Sequence, residues 1–230
     1  MAAASISVCA ASCKRVLRQG LIGVALCLTG GKALAFPPKD WVSEAQAPSQ
    51  VIITRDSIEI DAPQGLTLWY RKKLNAPVRI RFEAKMIANG GPHDTTSDLN
   101  AFWMARETDG ASPIGKRGGR FEDYDTLQTY YVGIGGNRNS TTRLRRYIGV
   151  AGQRPLLPQH DRKDALLVPN QWTQITLVAQ GGHVAVERDG ANLFTLEDAA
   201  PYPSGWFALR TTSSHLTIRH FRITPIKAQP

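Results

Sequence analysis

From Val78 to Met86 the chain alternates without a break. Val78, Ile80, Phe82, Ala84 and Met86 are apolar, and Arg79, Arg81, Glu83 and Lys85 between them are charged. Side chains on a strand point to opposite faces with a period of two, so one face of this run is apolar and the other charged. A helix would scatter the same apolar set around its circumference, so the period dictates a half-buried strand. Similar short runs, broken by Gly, Pro, Asn and Asp, recur at 51–54, 57–60, 66–70, 99–105, 126–134, 142–149, 173–179, 183–188, 192–196, 205–211 and 215–223. No segment carries a sustained helical stripe with caps, and the sum is an all-β domain. Asp189-Gly190 marks a tight hairpin. Asn89–Pro92 reads as a sharp loop, and Thr108–Asp123, rich in Gly and charge, as a loop placed to border a site.

The start of the chain is set apart from the fold. Lys14, Arg15 and Arg18 precede the apolar run Leu21–Leu28, and Ala33-Leu34-Ala35 follows with a small-x-small pattern. That order predicts a signal peptide over 1–35, cleaved after Ala35, and an exported, periplasmic or extracellular protein. The apolar run is too short to cross a bilayer. Leu26 stands where a lipid-attachment cysteine needs a small residue, so Cys27 is not expected to be lipidated. All three cysteines (Cys9, Cys13, Cys27) lie in this segment, and the exported form would carry no thiol and rely on its hydrophobic core. Residues 36–49 read as an extended lead-in and 50–230 as a single β-sandwich domain, expected to be a monomer. The net charge of +9 falls to +5 once Lys14, Arg15, Arg18 and Lys32 are set aside (9 − 4). The remaining basic residues are interspersed with acids, which favours an anionic sugar polymer over nucleic acid as partner.

Trp172–Val178, Val184–Val186, Asp189-Gly190, Gly205–Arg210 and Leu216–Ile223 follow one another in an order similar to the closing meander of concanavalin-A-like lectin and glucanase sandwiches. That resemblance implies a jelly-roll sandwich of two antiparallel sheets, and no activity. Asp98–Arg106, Phe121–Asn139, Arg143–Tyr147 and Gly205–Thr211 resemble an uncharacterised bacterial secreted jelly-roll family found among rhamnogalacturonan- and other polysaccharide-utilisation genes. The resemblance implies a substrate class and not a reaction.

The middle of the chain is dense in Tyr, Gln, Asn and Arg beyond what a solvated strand face needs. Gln128 and Tyr130 share a face of one strand, and Arg143, Arg145 and Tyr147 share a face of the next. If those faces adjoin, they form a groove that with Asn100 would hold sugar hydroxyls and a uronate carboxylate. Each tyrosine could equally fill the core and each arginine reach water.

Glu122-Asp123-x-Asp125 lacks the Glu-x-Asp-x-x-Glu spacing of retaining sandwich glycosidases, which disfavours a hydrolase. A polysaccharide lyase needs a group to neutralise the carboxylate, a base for the C5 proton and an acid for the leaving oxygen. Tyr130, Tyr124 and His93 are the candidates for proton transfer. Alginate-type jelly-roll lyases carry Gln-x-His on one strand, and Tyr130 stands in that histidine's place. The reading is a lyase on a uronate-containing polysaccharide, with a non-catalytic carbohydrate-binding module as the alternative and a protein-interaction domain as a third. His93, His160, His183, His215 and His220 show no zinc-like spacing. Asp94, Asp98, Asp109, Asp123 and Asp125 form no recognisable calcium loop. No cofactor is expected beyond a structural calcium of the kind such sandwiches can carry.

Overall fold

A computed structural model describes residues 36–227. The signal segment, its cleavage site and the three cysteines lie outside the described residues.

Twelve strands form among the described residues: β1 (Trp41–Ala45), β2 (Gln50–Ile53), β3 (Ser57–Asn75), β4 (Val78–Met86), β5 (Leu99–Arg106), β6 (Gln128–Gly135), β7 (Thr141–Ile148), β8 (Asp161–Arg162), β9 (Thr173–Gln180), β10 (His183–Arg188), β11 (Ala191–Glu197) and β12 (Ser204–Pro225). All pair antiparallel. The long strands β3 and β12 belong to two sheets at once. Their upper halves pair around Gly65–Asn75 and Ser204–Thr212, flanked by β1 on one side and by β5, β6, β7 and β8 on the other. Their lower halves pair around Ser57–Ala62 and Ser214–Arg219, flanked by β2 and by β4, β9, β10 and β11. The crossing in β12 coincides with a register shift between Thr212 and Ser214, where Ser213 adopts a left-handed φ of 48°. Such a bulge bends a strand without ending it.

The core lies between the two sheets. β4 buries Val78, Ile80, Phe82, Ala84 and Met86 while Arg79 and Arg81 stay exposed, as its period dictates. From the facing sheet come Leu66, Leu68, Trp103, Val132, Phe207 and Leu209. Phe82 meets Phe207 at 6.0 Å between ring centres, which ties one sheet to the other. The segment read as a lead-in is part of this fold: β1 pairs with β3, and Phe36 and Trp41 are buried in the core. Asp189 and Gly190 (φ 52° and 81°) close the β10–β11 hairpin with the two left-handed residues its tight turn needs.

Candidate functional site

The first sheet turns one face away from the core, and cross-strand register sets two rows of side chains on it. Thr67, Arg210, Asn100, Gly133 and Arg143 form one row, running from β3 to β7. Trp69, Ala208, Phe102, Tyr131 and Arg145 form the next. The aromatic members, with Tyr147, make a second apolar cluster separate from the core. Residues 107–127 lie over it: Tyr124 stacks on Phe102 at 5.4 Å, and Phe121 packs on Tyr131 at 5.5 Å. A single buried carboxylate, Glu44 of β1, anchors this covering segment. Its Oε1 accepts the backbone N–H groups of Gly115, Lys116 and Arg117, and its Oε2 accepts Trp69 Nε1 (2.9 Å) and Tyr124 Oη (2.6 Å). Arg117 adds a bidentate pair to Glu107 and a bond to the Asp123 carbonyl.

Beside the covering segment a cavity of about 690 Å³ opens. Asn100, Tyr131 and Arg210 line it from the sheet, Phe121 from the covering segment, Thr95–Asp98 from the β4–β5 loop, Asn137 and Arg138 from the β6–β7 turn, and Thr212 and Ser213 from the bend of β12. Arg210 is 2% exposed; one Nη donates to Thr67 Oγ1 (2.7 Å) and the Gly119 carbonyl (2.9 Å), and its Nε has no partner. Its guanidinium lies about 5 Å from the ring centres of Phe121 and Tyr124. Among the described residues it makes no ion pair, and burial weakens its hold on the proton. Asn100 is buried with its Oδ1 unpartnered. Gly133 beside it is required: a Cβ there would fall 2.5 Å from Tyr131 Oη and 3.0 Å from Asn100 Oδ1. Tyr131 is held neutral, its phenol pushed far up by burial and by the nearby Asp98 carboxylate.

Asp98 accepts from Ser97 Oγ (2.6 Å) and Asn100 Nδ2 (3.5 Å), yet burial raises its carboxyl above the usual range. Asp98, Asn137, Arg138 and Ser213 hold left-handed φ of 60°, 53°, 58° and 48°. Left-handed backbone of this kind is uncommon outside glycine and gathers where a structure over-determines it. Here four such residues line one cavity.

The expected groove is corrected by the register of β6 and β7. Tyr130 lies opposite Arg146, and Tyr131 opposite Arg145, so Gln128 and Tyr130 share the face of Arg146 and Leu144. Arg143, Arg145 and Tyr147 face the other way. A slip of one residue exchanges the faces of a strand. Tyr130 is buried in the core, its hydroxyl bonded to Asp198, which also takes Arg146; burial and that carboxylate push the phenol far up. Gln128 accepts from Arg106. Tyr124, bonded to Glu44, is likewise raised by burial and by its partner. His93 bonds Asp61 at 2.7 Å outside the cavity lining. Arg143 pairs bidentately with Asp161, and Arg145 donates to the Arg154 carbonyl. Tyr147 is buried against Tyr131, its hydroxyl unpartnered. Of the expected residues, Asn100 alone lines the cavity. Asp98, Tyr131 and Arg210 join it there; the sign available in sequence was Gly133, a glycine inside a strand next to aromatic residues.

Among the described residues no three His, Cys, Asp or Glu side chains converge as a metal site. Asp94 is bonded to His215, Asp109 to the Ala111 N–H, and Asp125 is paired with Arg154 at 3.3 Å. No helix among the described residues is long and apolar enough to cross a membrane.

The fold is an antiparallel β-sandwich with two strands shared between its sheets, similar to galectin-like and lectin jelly-roll structures. A galectin-like protein of unknown function from Bacillus subtilis superposes with a TM-score of 0.65 at 15% identity, covering 83% of this chain and 92% of that one. The potassium-bound carbohydrate recognition domain of Emp46p gives 0.59 at 10% identity (85% and 98%). The carbohydrate-binding module CBM66 of B. subtilis gives 0.55 at 8% identity (80% and 94%). The chain belongs to the family described as a domain of unknown function, DUF6250, whose model matches residues 60–221. Among curated proteins no sequence matches.

Proposed function

We propose that this protein binds carbohydrate in the cavity at Asn100 and Arg210, and that its ligand is an acidic sugar of the uronate class. The observation that carries the reading is Arg210. A guanidinium held out of water with no carboxylate in bonding contact, Asp98 acting on it only at a distance, and with an N–H unbonded is costly, and a ligand carboxylate would supply a close counter-charge and the missing acceptor. Asn100 Oδ1 offers an acceptor for a sugar hydroxyl, and Phe121 and Tyr131 offer ring faces. The fold supports the same reading, because solved structures with this architecture include a carbohydrate-binding module and a carbohydrate recognition domain. The sequence resemblance to a polysaccharide-utilisation family supports a pectic or related ligand, and the predicted leader supports a protein that acts outside the cytoplasm.

A lyase is the second reading, favoured by Asp98 and Tyr131 lying in one cavity with Arg210. In that reaction Asp98, as carboxylate, takes the C5 proton, the C4–oxygen bond breaks, the leaving oxygen receives the Tyr131 proton, and a C4–C5 double bond remains. Tyr130, Tyr124 and His93 are bonded elsewhere and take no part in it. Calorimetric titration with galacturonate, alginate, glucuronan and neutral oligosaccharides, run beside an absorbance assay for unsaturated uronate, tests both. Binding of acidic sugars without absorbance gain selects the binding module. No binding by any glycan overturns the carbohydrate reading.

A further inference from the structure

Resting on that reading of the cavity, we infer that the site recognises the end of a glycan chain and does not seat an internal stretch of polymer. A sheet face that binds the middle of a polysaccharide must be open at both ends, with aromatic platforms spaced along it. This protein has the platforms, Trp69, Phe102 and Tyr147, but fills them with its own chain. Residues 107–127 close that side, and the closure is rigid in construction. Glu44 holds three consecutive N–H groups of it, and Arg117 is bonded to Glu107, Asp123 and Thr126. Gly119 touches Gly65 backbone to backbone: a Cβ on Gly119 would fall 2.7 Å from the Gly65 carbonyl oxygen.

The opposite side is closed by the β6–β7 turn, where Asn137, Arg138 and Asn139 are all left-handed (φ 53°, 58° and 58°). Asn139 clamps the turn by exchanging two hydrogen bonds with the Leu167 backbone (2.9 and 2.8 Å). A third wall, Thr95–Asp98, is tied to the bend of β12: Thr95 Oγ1 donates to the Ser213 carbonyl, and Ser214 Oγ donates to the Ser97 carbonyl. His215, bonded to both Asp94 and Glu59, fixes the base of that loop.

What remains is a pocket of about 690 Å³, within the ~300–1,000 Å³ range of sites that enclose a small ligand. Its bonding groups, Arg210 and Asn100, sit at the buried end. A terminal sugar can reach them with the rest of its chain trailing into solvent. An internal sugar would have to drive its chain through the covering segment or the 137–139 turn.

The test uses the full chain and a galacturonate tetramer, titrated calorimetrically in three forms: free, capped at the reducing end by reductive amination, and capped at the non-reducing end by O-methylation. Capping the recognised end should weaken binding by at least about tenfold and capping the other should leave it unchanged. Lengthening the oligosaccharide should keep the stoichiometry at one protein per chain. Binding indifferent to both caps, binding lost with either cap, or several proteins per long chain each overturn chain-end recognition while leaving the acidic-sugar reading intact. If free galacturonate, alginate, glucuronan and neutral oligosaccharides all fail to bind, the carbohydrate reading falls and this inference with it; if another of them binds, the same end-capping is applied to it.

Discussion

Arg210 is a cation held out of water, so its removal acts on stability and on binding with opposite signs. A buried cation without a bonded counter-charge carries a desolvation cost that an apolar side chain of similar volume does not, which offsets the loss of its bonds to Thr67 and the Gly119 carbonyl. Arg210→Met should therefore leave the thermal unfolding midpoint unchanged or raise it, while affinity for uronate oligosaccharides falls by about a hundredfold, as loss of a charge-assisted bidentate contact implies. Melting curves beside calorimetry check the pair; a large drop in both would mean that Arg210 serves the fold. Asp98 supplies the pH dependence. Its carboxyl is raised above 3.8 by burial, so the folded state holds the proton more tightly than the unfolded one. The stability it contributes is full below 3.8 and is lost as pH rises through the folded value. The ionised form also repels an incoming carboxylate, so acidic-sugar affinity should weaken over the same rise. Asp98→Asn keeps a residue that tolerates the left-handed backbone and should flatten both slopes in titrations run across the weakly acid range. Asn100, singled out in the sequence, lines the cavity. That Gln128 and Tyr130 face away from Arg143 and Arg145 was not legible, because periodicity assigns faces within a strand and says nothing of register between strands. The 136–140 turn sets that register, with three left-handed residues of which none is glycine.

Glu44 shows how an element far from the cavity shapes it. β1 reads in sequence as a Pro- and Ala-rich lead-in, since five residues with one buried carboxylate have no clean alternation. Its place in the sheet comes from pairing with β3, which only the folded chain reveals. Glu44→Gln would turn an N–H₂ toward donors that now share a carboxylate. It should cost about 3 kcal/mol, since hydrogen bonds to a charged group are worth roughly 1.5–3 kcal/mol each. Denaturant titration reads the loss, and hydrogen exchange at Gly115, Lys116 and Arg117 should show the covering segment released. Unchanged protection there would mean that the Arg117 contacts suffice. Most strands were visible in the sequence as pieces. β3 and β12 were each read as two because Pro63-Gln64-Gly65 and Thr212-Ser213-Ser214 have the composition of turns. The chain bends at both places and continues, since each strand finds partners on both sides of its bend.

Across the whole molecule the two sheets stand or fall together, because β3 and β12 carry any disturbance of one into the other. Phe82→Ala removes a ring buried between them and should cost about 3–5 kcal/mol. Unfolding followed by fluorescence and by far-ultraviolet circular dichroism should keep a single coincident transition at the lower midpoint. Two separated transitions would show that the sheets are independent. The shared strand also has a place in time. β3, β4 and β5 all pair with β12, which follows them in chain order by more than ninety residues, and Arg210 of the cavity lies on it too. During synthesis those three strands wait with bare edges, the kind that invite pairing with neighbouring chains. Synthesis from the N-terminal side therefore leaves both halves open until β12 emerges, and its arrival closes them and finishes the pocket in one event.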